Sequence, residues 1–436
     1  MSISPTPKLI LIVALASPLA LLLAVRAPNA WAAILGLLLL LALLMLLDWA
    51  VSPKAGRLAV QAAAPRSIGV GETLDVRLSL GFPASAPASV EIALARDPLL
   101  QPLWQGPGTF DPAAGPATLP HATLRRGTAA LDRLWCRWQG PLGLLQQTRT
   151  LDPGLRVRVL PDIRPVREQA PQLLAEAGAW GLMSRRQAGA GTEFEALADF
   201  RPGMDRRHID WKQSARHHSL LAKEFRAETN NNLVLAIDCG RAMSDPLDGI
   251  PRVDHAISAA LLAGNVALRQ GDRAGIAAFD ARPRVHLPPV GGLRAFPLLQ
   301  EAAAGIDYSP AETNFTLGLS AIAAGLKRRS HLVVFTEFAD STGAALMLDA
   351  VGPLVRRHML IFVVMRHAEL EAIAAAPPET AEAVTRAATA GALLRERQLV
   401  IARLQRQGVH VLQADHAQVG AVLVRAWTRL ARGRPA

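Results

Sequence analysis

A chain of 436 residues exceeds one ordinary domain and holds ample material for a buried core. Half of its residues are hydrophobic, which excludes a mostly disordered polypeptide. Its net charge of +11 suits nucleic acid, anionic lipid or an acidic protein. No basic run is interleaved with aromatics as a single-strand surface requires, so nucleic acid is not expected as a partner. Cys136 and Cys239 form neither a metal-binding pair nor a disulfide framework, and fit a reducing compartment.

The first fifty residues carry much of the apolar excess. Leu9 to Val25 is apolar except for Ser17 and Pro18, and Ala30 to Leu47 is apolar without interruption. At about 1.5 Å per residue each run spans roughly 26 Å, just adequate for a hydrocarbon core of about 30 Å. Arg26-Ala27-Pro28-Asn29 breaks the helix between them, and Trp31 and Trp49 flank the second run where amphipathic rings favour the interface. Residues 1–52 are therefore expected to form a transmembrane helical hairpin. A cleaved signal peptide would have a shorter apolar region and no second span. Lys8 precedes the first run and Lys54, Arg57 and Arg66 follow the second, against Arg26 alone between them. The positive-inside tendency places both termini in the cytoplasm.

Residues 57–162 change to period two. Val76, Leu78 and Leu80 alternate with Arg77 and Ser79, Val90, Ile92 and Leu94 with Glu91 and Ala93, and Leu155, Val157 and Val159 with Arg156 and Arg158. Breaks at Gly81-Phe82-Pro83 and Gly106-Pro107-Gly108 complete the pattern of a small all-β, antiparallel sandwich, a spacer or docking surface. A connecting segment, 163–232, follows. From 233 to 436 short apolar runs alternate with helical patterns. Leu233–Ile237, Arg273–Phe279, His331–Phe335, Met359–Val364 and Gly408–Leu412 read as strands; Val253–Arg269 and Val419–Leu430 read as helices. The Ala-rich stretch Glu369–Arg397 reads as helices jointed at Pro377-Pro378. Such alternation predicts an α/β domain with a mostly parallel sheet covered on both faces. Its ligands would bind at the carboxyl ends of the strands, where Asp238 and Thr336-Glu337 stand. Phosphate-binding loops, a nucleophile elbow and an H-E-x-x-H pair are absent from the sequence. The adjacent pair His217-His218 does not share a helix face and reads as solvated.

The most unusual run is Gly191-Thr-Glu-Phe, then Phe200-Arg-Pro-Gly-Met-Asp-Arg-Arg-His-Ile-Asp-Trp211, Ser214-Ala-Arg216 and Lys223-Glu-Phe225. It resembles the signature of the bacterial "domain of unknown function 58" family. Arg126-Gly127 and Pro141-Leu142-Gly143-Leu144 upstream, and Asp238 to Met243 downstream, extend the likeness. The resemblance implies a membrane-tethered protein with a von Willebrand factor A-like (vWA-like, Rossmann-like) domain. Relatives commonly occur beside MoxR-type AAA+ ATPases, and the resemblance implies no established reaction. Two positions depart from the family's pattern, with Ala198 in place of an arginine and Met204 in place of an aspartate.

Within this run Arg201, Arg207 and Arg216 are expected to pair with Asp205, Asp210 and Glu193 in a network pinned by Trp211, with Phe194, Gly203 and Ser214 beside it. Planar guanidinium groups suit two-bond pairing with carboxylates. Such a network serves equally as a binding surface or as a lock on the connecting segment.

A working vWA metal site presents D-x-S-x-S, a threonine and an aspartate to Mg²⁺. Here the run is Asp238-Cys239-Gly240-Arg241-Ala242, with Thr313 for the threonine and Glu337 for the aspartate. Both hydroxyl positions are lost, so Mg²⁺ is expected to bind poorly, and Arg241 is placed to neutralise Asp238. The sequence thus points to a non-enzymatic, membrane-anchored interaction module at the bacterial inner membrane, with a MoxR-type ATPase or another protein, and membrane lipid, as partners. Its rivals are a hydrolase using Asp210, His208 or Asp238, and an envelope adhesion-like protein facing outward.

Overall fold

The computed structural model describes residues 2–26, 31–54, 56, 58–82, 86–104, 106, 108–184, 193–200, 206, 209–217, 219–226, 231–338 and 341–431. The chain divides into two compact units, residues 1–160 and 161–436.

The first unit begins with the strand Ser2–Pro5 and two helices, Pro7–Arg26 and Trp31–Val51. The second helix has a mean hydropathy of 2.6 and is the one described helix long and apolar enough to cross a membrane. Its 21 residues extend about 31 Å at the helical rise. The first helix, Pro7–Arg26, has 20 residues and contains Pro18. Leucines such as Leu39, Leu43 and Leu46 stand exposed along the second helix. A water-soluble packing would bury such a stripe, whereas lipid solvates it.

Three sheets complete this unit, and a single apolar core joins them. Alternation works as anticipated in Thr73–Gly81, where Leu74, Val76 and Leu78 are buried and the residues between them exposed. Leu134, Cys136 and Trp138 do the same in Leu134–Gln139. The antiparallel expectation needs one correction. Ser67–Gly69 pairs in parallel with Leu155–Leu160. These strands lie far apart in the chain, so no tight hairpin forces them antiparallel.

The helices are tied to this unit by polar groups. Asp48, 1% exposed near the end of the apolar helix, accepts the backbone N–H groups of Leu142 at 2.7 Å, Leu144 at 3.0 Å and Leu145 at 2.9 Å. The socket is the Pro141-Leu142-Gly143-Leu144 turn between Leu134–Gln139 and Leu145–Leu151. A Cβ at Gly140 would stand 2.4 Å from Asp48 Oδ1, and Gly143 adopts a φ of +67°, so both glycines are required by geometry. Thr6, ahead of the first helix, donates to Gly143 O at 2.6 Å, and Ser2–Pro5 pairs with Leu145–Leu151. Both ends of the helical segment therefore grip one turn.

The second unit is built on a six-stranded sheet in the order Pro283–Gly291, Arg273–Phe279, Asn232–Asp238, Ser330–Phe335, Met359–Met365, His410–Ala414. All neighbours are parallel except the first pair. The strands are nearly continuous runs of apolar residues because both faces are covered. Leu233, Leu235 and Ile237 pack on one face with the helices Arg252–Arg269 and Val419–Ala431. Val234 and Ala236 pack on the other with Phe315–Ala324, Ser341–Val355 and Ala381–Arg406. Pro283–Gly291, unanticipated from sequence, is an edge strand, where Pro288 and Pro289 cost no central ladder bonds. Gly275 lets it approach, since a Cβ there would stand 2.7 Å from Leu287 O.

Asp48→Asn should lower the unfolding free energy of the detergent-solubilised full chain by about 2–4 kcal/mol, because amide hydrogens would face backbone donors. Thermal unfolding checks this, and an unchanged midpoint would mean that the socket does not hold the helix.

Candidate functional site

The signature segment forms an antiparallel pair, Glu193–Asp199 with Leu221–Arg226, and the short helix Trp211–His217. Asp210 caps that helix, accepting the N–H groups of Lys212 and Gln213, both at 3.1 Å. Its other oxygen faces Lys223 Nζ at 3.4 Å. The Gln213 amide, together with Lys223, holds its carboxyl below the usual aspartate range despite the opposing effect of desolvation. Ser214 Oγ donates to Asp210 O at 2.7 Å and accepts from Leu221 N at 2.9 Å, tying helix to strand. These contacts lock local structure.

The predicted network is described only in part. Trp211 is 69% exposed, and among the described residues the helix cap is made by Asp210 and Ser214 without it. Among the described residues Asp210 pairs with Lys223, and Arg216 is exposed. Glu193 and Phe194 lie in the first strand of the pair. Arg201, Gly203, Asp205, Arg207, His208 and His218 lie outside the described residues.

Asp238 ends the strand Asn232–Asp238 and is 1% exposed. Its Oδ1 accepts from Thr313 Oγ1 at 2.6 Å and from Gly240 N at 2.9 Å, and its Oδ2 accepts from Thr336 Oγ1 at 2.7 Å. Desolvation pushes its pKa up to about 6, against the lowering effect of those donors. Asp280, at the end of the neighbouring strand, feels burial too, but bonds from Arg284 and others, and the Arg284 charge, win and hold it at about 2. Arg241 does not neutralise Asp238; it extends to Glu312 at 2.7 Å on the surface.

A Cβ at Gly240 would stand 2.1 Å from Thr313 Oγ1, so the place of the expected serine is filled by the threonine hydroxyl. Glu337, the presumed replacement aspartate, turns to a different cluster. Among the described residues no group of three or more His, Cys, Asp or Glu side chains is set to hold a metal ion. Burial raises the Cys239 thiol to about 12, with Asp280 and Asp238 adding to it, and raises Cys136 to about 11. Neither is a ready thiolate at neutral pH.

Glu337 instead joins Arg252, His367 and Arg397. Its Oε2 lies 3.3 Å from His367 Nε2 and 3.9 Å from Arg252 Nε, and its Oε1 lies 3.4 Å from Arg397 Nε. All but His367 are at least nine-tenths buried. They line a cavity of about 290 Å³ walled also by Leu393 and Val400. Sequence reasoning found Glu337 but missed both arginines. Arg397 carried a signal, since it falls on the buried stripe of Ala381–Arg406 with Ala390, Val400, Ile401 and Leu404.

Residues 197–412 match the family model described as "Protein of unknown function DUF58". The chain belongs to the DUF58 family. None of the curated proteins matches this DUF58 chain. It is similar to the crystal structure of the conserved hypothetical protein BatB from Bacteroides thetaiotaomicron, at 11% identity and a TM-score of 0.29, over 46% of this chain and 100% of that one. An uncharacterized membrane spanning protein from Vibrio fischeri aligns at 12% identity and a TM-score of 0.18, over 46% of this chain and 98% of its own. The PKD domain of an M14-like peptidase from Thermoplasmatales archaeon SCGC AB-540-F20 aligns at 16% identity and a TM-score of 0.16, over 23% and 91%. Such overlap carries no argument about architecture.

The folded DUF58 chain binds the Asp238 proton more tightly than the unfolded chain does. The stability that this group contributes is therefore complete below about pH 4 and falls as pH rises through about 6. The unfolding free energy of wild type relative to Asp238→Asn should fall by on the order of 2–3 kcal/mol from pH 4 to pH 7. Thermal or urea unfolding across that range reads the difference; a constant difference would contradict the assignment.

Proposed function

We propose that this DUF58 protein is a membrane-anchored protein-interaction scaffold. In this reading both N-terminal helices cross the bacterial inner membrane as a hairpin, with the large domain cytoplasmic. The all-β unit is a sandwich that spaces the domain, and the α/β unit is a vWA-like module without a working metal site. Its partner is a MoxR-type AAA+ ATPase, engaged during assembly or maturation of another complex. The observation that carries the anchored part is the exposed leucine helix whose Asp48 is gripped by the folded chain, since an anchor must transmit position to what it holds. Recognition is favoured over catalysis at Asp238 because its carboxylate is engaged by three internal donors. A cytoplasmic ATPase requires the same orientation that the basic residues Lys8 and Lys54 favour.

Two measurements test this reading. A reporter active only in the cytoplasm, fused after Ala436, should be active, and one active only outside it should be silent; the reverse would favour an outward-facing envelope protein. Detergent-solubilised DUF58 protein mixed with a purified MoxR-type ATPase from the same cell should co-elute in at least one nucleotide state. Separate elution with ATP, ADP and no nucleotide would remove the ATPase from the account.

A further inference from the structure

The cavity beside Glu337 contains polar groups whose capacity is not spent within the described chain. Arg252 is 6% exposed and Arg397 7% exposed. Arg252 Nη1 donates to Asp245 O at 3.1 Å, and its Nη2 meets His367 Nδ1 at 3.0 Å. Arg397 Nη2 donates to Met365 O. These bonds fix both guanidinium planes. Yet the Nε atoms of both arginines, and Glu337 Oε2, have no hydrogen-bond partner among the described residues. An unsatisfied buried charged group is costly, so such groups mark a position where something else is received.

Two guanidinium cations face one buried carboxylate. Desolvation, the largest influence on both arginines, lowers their pKa values, but an arginine remains charged in any aqueous protein. Asp245 and Glu396 also line the cavity, at exposed positions where solvent and salt screen them. The buried balance is cationic. Leu393, Leu394, Val400 and Phe338 supply an apolar wall. At about 290 Å³ the space lies at the lower end of ligand pockets and takes one side chain more readily than a nucleotide.

We propose that this cavity receives a carboxylate on an aliphatic stem, supplied by an acidic residue or free C-terminus of a partner polypeptide. A planar carboxylate matches the guanidinium edge through two charge-assisted bonds, and the stem lies on the leucine wall. Glu337 is the internal competitor that holds the arginines apart when the cavity is empty of partner. The proposal rests on reading the carboxyl ends of the strands as an interaction face, but it names the chemistry that is recognised.

Ligand-observed NMR on the detergent-solubilised full chain tests it with three probes: acetyl-Leu-Leu-Glu-amide, its Leu-Leu-Gln counterpart, and glutarate. The Glu peptide should bind at least about tenfold more tightly than the Gln peptide, and more tightly than glutarate. Arg397→Gln should weaken the Glu peptide by about tenfold or more, whereas Glu337→Gln should strengthen it several-fold by removing the competitor. Misfolding cannot imitate that gain, so Glu337→Gln decides the matter if Arg397→Gln fails to fold. Equal binding of the Glu and Gln peptides, no binding of either, or no gain in Glu337→Gln would overturn the proposal; preference for glutarate would replace the polypeptide by a small organic acid. Complex formation with the ATPase despite failed peptide binding would sink this inference alone.

Discussion

A buried carboxylate must be satisfied by donors or lose its charge, and Asp238 sets the organisation of the α/β unit around that requirement. It stands where the central strand meets its loop, and donors from three separate segments converge on it. Thr313 belongs to the loop ahead of Phe315–Ala324, Thr336 follows Ser330–Phe335, and Gly240 follows Asp238 itself. One side chain thereby holds three loops at the carboxyl edge of the sheet. The same bonds fill the place where a metal ligand would project and leave Glu337 to a second cluster beside Arg252 and Arg397. A rigid polar knot and an adjacent cationic cavity are two results of one constraint.

The first unit solves a comparable problem with different donors. Asp48 interrupts an otherwise apolar helix, and the backbone of a turn binds it. Charge-assisted bonds to backbone N–H groups are strong and directional, so the helix is fixed in orientation as well as attached. Thr6 engages the same turn from the other end of the helical segment. The carboxylate serves as a fastening, and a leucine at position 48 would make a more apolar helix but a looser joint.

How much of this was legible in the sequence depends on the distance over which each interaction acts. Alternation exposed the strands of the first unit, because the pleat itself buries Leu74, Val76 and Leu78 on one side. Continuous apolar runs revealed the parallel strands, since helices cover both faces. The edge strand Pro283–Gly291 was not read from the sequence, as its prolines are tolerated only at an edge. The parallel pairing of Ser67–Gly69 is non-local and left no local sign. Asp238 was recognisable from its place at a strand end. Thr313, singled out as a candidate ligand, donates to Asp238, and Arg252 and Arg397 meet only through tertiary packing. The cap of the helix Trp211–His217 by Asp210 and Ser214 is local, and spacing alone did not separate it from the wider network.

The central claim is that recognition takes place at the carboxyl edge beside this cavity. Site-specific photo-cross-linking in native membranes tests it most directly, with the reactive residue at Leu393, which lines the cavity and is 46% exposed, or at Leu298, equally exposed on the helix Phe296–Ala304. The account predicts a covalent adduct with a MoxR-type ATPase from Leu393 and none from Leu298. Adducts of equal yield from both positions, or none from Leu393, would contradict it.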